Sequence, residues 1–130
     1  MNIEIKFRAF IDGKMIDADS LAFEQYEPVS KLLTYCENIM QYTGIKDKNG
    51  KEIYEGDIVT FPEYYETPEM TNTNYVTAKV VFEYGCFHIK QKNQEKLTPD
   101  TNSLAYEMQC YDGDFEVIGN IYENPELIKS

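Results

Sequence analysis

From Val76 to Tyr84 the chain sets Val76, Ala78, Val80, Phe82 and Tyr84 against Thr77, Lys79, Val81 and Glu83. A period of two sustained over this length fits a strand with one buried face and does not fit a helix. Gly85-Cys86 then turns the chain into Phe87-His88-Ile89-Lys90, the expected hairpin partner. The same arrangement recurs at the start, where Ile3 to Phe10 alternate, Asp12-Gly13 is a hairpin turn and Met15-Ile16 begins the return. Further short apolar runs lie at Ile39–Thr43, Glu52–Tyr54, Ile58–Phe61 and Phe115–Tyr122. Asn49-Gly50, Gly56-Asp57 and Asp112-Gly113 punctuate them with residues suited to tight turns. Short strands without regular strand–helix alternation predict an antiparallel, mostly β domain. The residues alone fit a barrel and a sandwich equally.

Other segments are less regular. Leu21, Phe23 and Tyr26 extend the first sheet, and Pro28-Val29-Ser30 opens either a short helix through Cys36 or an irregular strand. Pro62 to Tyr75, with its prolines, threonines, asparagines and glutamates, reads as an exposed loop anchored by Tyr64-Tyr65. Leu104–Cys110 reads as a short helix or a further strand, and Asn124-Pro125-Glu126 carries the cap, first-turn proline and early acid of a one-turn helix.

At 130 residues the chain suits one domain, which at this size buries about two-thirds of its unfolded surface. Acids number 23 against 12 basic residues, and between Leu97 and Ile128 there is no Lys or Arg. That balance repels phosphate backbones and anionic lipid, so neither nucleic acid nor membrane is expected as a direct partner. The opening residues lack the apolar run of a signal peptide, which predicts a cytoplasmic protein. Cys36, Cys86 and Cys110 are odd in number and lack a CxxC spacing, as expected for reduced thiols.

Chemical motifs are sparse. Asp47-Lys48-Asn49-Gly50 has neither the glycine nor the twelfth-position acid of a calcium loop and reads as a turn. His88 is the sole histidine. With the cysteines it makes at most a zinc set of unfamiliar spacing, although Cys86 and His88 share one side of a strand. A Cys–His catalytic pair is allowed by the inventory, but nothing selects it. Carboxylate pairs such as Asp112 with Asp114 sit at turns, and Asp57 is expected to hydrogen-bond within its own loop. No catalytic residue, cofactor site or metal site is therefore assigned. The tyrosines are the most suggestive population, serving either as an interface or as cross-strand pairs.

Two runs, Met40 to Phe61 and Glu116 to Leu127, with a weaker one at Lys6-Phe7-Arg8-Ala9-Phe10, resemble the YopX family of phage and prophage proteins. The resemblance implies an SH3-like barrel and supplies no catalytic residues. It also implies Trp where this chain has Phe10, so any role needing an indole N–H is lost. The expected architecture is a single domain: an N-terminal hairpin extension over residues 1–38, an SH3-like antiparallel barrel over 39–125, and short helical pieces. The expected function is a non-catalytic protein-interaction or assembly module in the bacterial cytoplasm. Candidate contact residues are Tyr42, Tyr54, Tyr64, Tyr65, Asp112, Asp114 and Glu116. Homo-oligomerisation is expected because a short barrel leaves edge strands to cover. An acidic DNA mimic that inhibits a host nucleic-acid-binding protein is the alternative, and an enzyme the least favoured one.

Overall fold

The computed structural model describes residues 5–16, 38–66, 71–91, 94, 96–110 and 113–128, with backbone alone at 63–66 and 71–73. The expectations for Leu21 to Cys36, and for Asp112, lie outside the described residues.

The described residues form two antiparallel four-stranded sheets. The first has the order β2-β1-β3-β4, from β1 (Phe7–Ile11), β2 (Lys14–Ile16), β3 (Ile39–Lys46) and β4 (Glu52–Tyr54). The second has the order β7-β6-β5-β8, from β5 (Asp57–Glu66), β6 (Thr71–Glu83), β7 (Cys86–Gln91) and β8 (Glu116–Asn120). The fold is mostly β, with one sheet curled into an SH3-like half-barrel. A helix, α1 (Leu104–Cys110), joins β7 to β8, and a 3-10 turn (Pro125–Leu127) follows β8.

Turn chemistry explains the hairpins. Asp12 and Gly13 both take positive φ, at 50° and 78°, which matches the right-handed twist of β1 and β2. Tyr84 and Gly85 do the same between β6 and β7, at 52° and 78°. Tyrosine is an uncommon residue there. Its hydroxyl donates to the Leu97 carbonyl at 3.4 Å, which tethers the turn.

The stretch expected as an exposed loop over Pro62 to Tyr75 is strand at both of its ends. β5 runs on to Glu66 and β6 begins at Thr71, with Pro62 opposite Tyr75 and Glu66 opposite Thr71. A ribbon projecting beyond the sheet needs no one-sided apolar pattern, so its polar composition hid its strand character. Thr and Tyr at its centre favour extended backbone. Of the two readings left open for Leu104–Cys110, the structure has the helix. Ser103 caps it through a 3.2 Å bond from Tyr106 N–H, and Leu104 and Met108, one turn apart, are its buried residues.

The main core gathers Ile53, Val59, Phe61, Val80, Leu104 and Phe115, among others, with the Phe61 and Phe115 rings stacked at 4.4 Å. Met40, Tyr42 and Tyr54 form a second cluster with Phe10, Met15 and Tyr122 packed on it. Phe10 stacks on Tyr122 at 5.2 Å, so a phenyl ring suffices at this position. Backbone bonds join the sheets: Gly56 N–H to Val80 O and Ile121 N–H to Gly56 O, both 2.9 Å. Gly56 sits at φ 88°, and a Cβ there would lie 3.0 Å from Met40 Sδ. Only glycine meets both demands.

β8 bulges where Ile58 faces Gly119 but Val59 faces Val117. A Cβ on Gly119 would lie 2.5 Å from Asn124 Oδ1, the acceptor for Asn120 N–H. Gly119→Ala is therefore expected to destabilise the fold by about 1–3 kcal/mol, measurable by urea unfolding.

Candidate functional site at the join of the two sheets

β1 uses both faces. Ala9 is fully buried against Ile11, Ile16 and Ile39, while Arg8 turns the opposite way. The Arg8 guanidinium reaches Asp57 at the start of β5, with Nη2 to Oδ1 at 2.5 Å. Both side chains are nearly buried, at 12% and 2% exposure. The other Asp57 oxygen accepts Tyr54 N–H at 2.8 Å, and the guanidinium lies 4.5 Å from the centre of the Tyr54 ring. Arg8 Nε is buried without a hydrogen-bond partner. Burial pushes the Asp57 carboxyl above the usual carboxylate range, against the pull of Arg8 and Tyr54 N–H. Burial also raises the Tyr54 hydroxyl, to about 12, helped by Glu52.

A cleft of about 580 Å³ opens beside this pair, walled by Arg8, Lys51, Asp57, Asn120, Glu123 and Asn124. Its polar groups largely satisfy one another. Asn120 donates to Glu123 Oε1 at 2.8 Å and accepts the N–H groups of Tyr122 and Glu123. Asn124 was expected to cap the last helical turn, but its side chain makes no cap bond there and serves Asn120 instead.

On the far side of Gly56 lies a groove of about 310 Å³ with a different character. Ile39, Met40, Phe82 and Tyr122 supply apolar wall, with Glu55, Lys79 and Glu83 at the side. Phe82 touches Phe87 edge-on at 5.0 Å, yet remains 47% exposed. Burial lifts the Glu55 carboxyl, opposed by a hydrogen bond from Gln41, and burial followed by Glu55 lifts the Tyr122 hydroxyl.

The residues singled out from sequence are dispersed. Tyr42 and Tyr54 are buried and face each other across β3 and β4 with ring centres 5.4 Å apart, the cross-strand arrangement. Tyr64 and Tyr65 lie on the β5 ribbon. Asp114 and Glu116 sit 3.5 Å and 3.7 Å from Lys48 Nζ. Arg8, Asp57 and Phe82 were not singled out as contact residues. The sequence signal that covers Arg8 is the weak family-like run at Lys6–Phe10. Among the described residues no group of three or more His, Cys, Asp or Glu converges as a metal site. Among them also, no helix is long and apolar enough to cross a membrane.

The two long runs noted in the sequence thus meet here, Met40–Phe61 through Tyr54 to Asp57 and Glu116–Leu127 through Asn120 to Asn124. The family model described as YopX protein matches residues 6–129. The chain belongs to the YopX family. Its fold is similar to the crystal structure of protein EF1440 from Enterococcus faecalis, with a TM-score of 0.61 and 26% sequence identity. That likeness covers 98% of this chain and 100% of the other. No curated protein matches the chain.

Proposed function

We propose that this YopX protein is a non-catalytic protein-interaction or assembly module that receives its partner in the groove beside Phe82. The observation that carries this reading is a large aromatic side chain left 47% exposed beside a groove of mixed polar and apolar lining. Half-exposed aromatics in a concave site are the residues that dominate binding energy once covered. The charged groups of the neighbouring cleft act differently: Arg8 and Asp57 bind each other and hold the sheets together. Glu55 and Glu83 beside the groove, and the net charge of -11, favour a partner segment that places an apolar side chain next to Lys or Arg. A bacterial cytoplasm and a phage or prophage origin accord with this role.

The DNA-mimic alternative receives less support. It needs carboxylates spaced along a ridge, and Lys48 lies between Asp114 and Glu116.

Affinity capture from bacterial lysate tests the reading, with the wild type and Phe82→Ser compared side by side at low and high salt. The expected result is a basic protein, released by salt, whose capture falls at least about tenfold with Phe82→Ser. Capture of the same protein by both chains would contradict it. Recovery of the bait alone, in a complex of several copies dispersed by Phe82→Ser, would make the partner a second copy.

A further inference from the structure

The groove beside β6 is lined by Lys79, Val80, Val81, Phe82 and Glu83 in unbroken succession. Successive side chains of a strand point to opposite faces, so a groove that meets every residue of such a run follows the edge of β6 rather than one face. β7 covers one edge as far as Glu83, which lies opposite Cys86. On the other edge β5 stops short. Its last register position there is Ile58 opposite Lys79, and Gly56 N–H then bonds to Val80 O at 2.9 Å. On the far side of Gly56 the chain belongs to β4, in the other sheet. Peptide groups alternate in direction along a strand, so Phe82 points its N–H and carbonyl the way Val80 does, away from β7. Among the described residues no strand pairs with Phe82 on that side. Such an edge is a template for one more strand.

We propose that the partner enters this groove as an extended segment and adds an antiparallel strand to β6, exchanging N–H and carbonyl bonds with Phe82. The inference rests on the reading of the groove as the partner site and names the form the partner takes there. The segment occupies the place that β5 vacates at Gly56. The residue opposite Phe82 is apolar and packs on the exposed ring. Flanking Lys or Arg residues meet Glu55 and Glu83, which outnumber Lys79 along the groove. The occupant is a basic segment of another protein rather than a second copy, because a second copy brings a further net charge of -11 to an acidic site.

Amide exchange on the free protein reads the edge directly. Phe82 N–H should exchange at least about tenfold faster than Val81 N–H, which faces β7. Equal protection of the two at every protein concentration would mean that the edge is already paired and would overturn the inference. Protection of Phe82 N–H that rises with protein concentration would overturn it in favour of a second copy. The probe for the added strand is a heptapeptide of alternating Val and Lys, titrated beside a copy whose valine nitrogens carry methyl groups. The unmethylated peptide should slow Phe82 N–H exchange and bind at least about tenfold tighter than the methylated one, which keeps its side chains but loses the bonds to β6. Equal affinity of the two peptides, or no binding of either, would overturn strand addition. If Phe82→Ser weakens both peptides alike, the groove reading stands without the added strand. Binding that Phe82→Ser leaves untouched would instead remove the groove reading itself.

Discussion

Asp57→Asn is expected to destabilise the protein by about 3–5 kcal/mol, because it leaves the Arg8 guanidinium buried without its counter-charge. Asparagine keeps an acceptor for Tyr54 N–H, so the loss reports the charge rather than the turn. For a domain of this size the thermal midpoint should fall by roughly 12–20 °C. Burial outweighs the pull of Arg8 on the Asp57 carboxyl, so the buried pair is costly to form and more costly to break. Replacing both partners, Arg8→Met with Asp57→Asn, should therefore recover much of the loss. The half-exposed partners Lys6 and Glu52, 2.7 Å apart, provide the contrast, since breaking an ion pair open to solvent costs only about 1 kcal/mol or less. Calorimetry on these variants checks each value.

Asp47→Ala should cost a further large amount, about 3–4 kcal/mol in urea unfolding. Its buried carboxylate accepts N–H groups from Asn49, Lys51 and Val117, each at 2.9 Å. Two of these bonds close the β3–β4 turn and the third crosses to β8, in the other sheet. Burial raises the Asp47 pKa, but the three N–H groups outweigh it and the net direction is down from 3.8. A depressed folded-state pKa contributes stability above the unfolded value, lost as pH falls through the folded one. The wild type should therefore lose this contribution below about pH 3.8, and Asp47→Ala should have a flatter acid limb over that window. Equal acid limbs in the two proteins would assign the loss to other carboxylates.

The strands were legible where one face is buried and the other wet, as in β6 and the β1–β2 hairpin. The ribbon from Pro62 to Tyr75 was not, because it carries no such asymmetry. Pairings across long stretches of chain were hidden for a different reason. Asp47 was readable as a turn residue, but its bond to Val117, 70 positions away, has no local signature. Asp57 was correctly expected to bond within its own loop, which it does through Tyr54 N–H, while its ion pair with Arg8 spans 49 positions. Phe82 falls on the same alternating face as Ala78 and Val80 and therefore read as core. It lies at the hairpin end, beyond the reach of the main cluster, and only the fold shows that it is uncovered.

Labour is divided in this fold: the Arg8–Asp57 ion pair and the hydrogen-bonded Asp47 carboxylate hold it together, and the Phe82 groove is the proposed partner site. Amide hydrogen exchange, recorded with and without the captured partner, tests it most directly. Added protection is expected at Ile39–Met40, Lys79–Glu83 and Ile121–Tyr122, with Lys51, Asn120 and Asn124 unchanged. Protection confined to Lys51 and Asn120–Asn124 would place the function in the polar cleft and contradict the account.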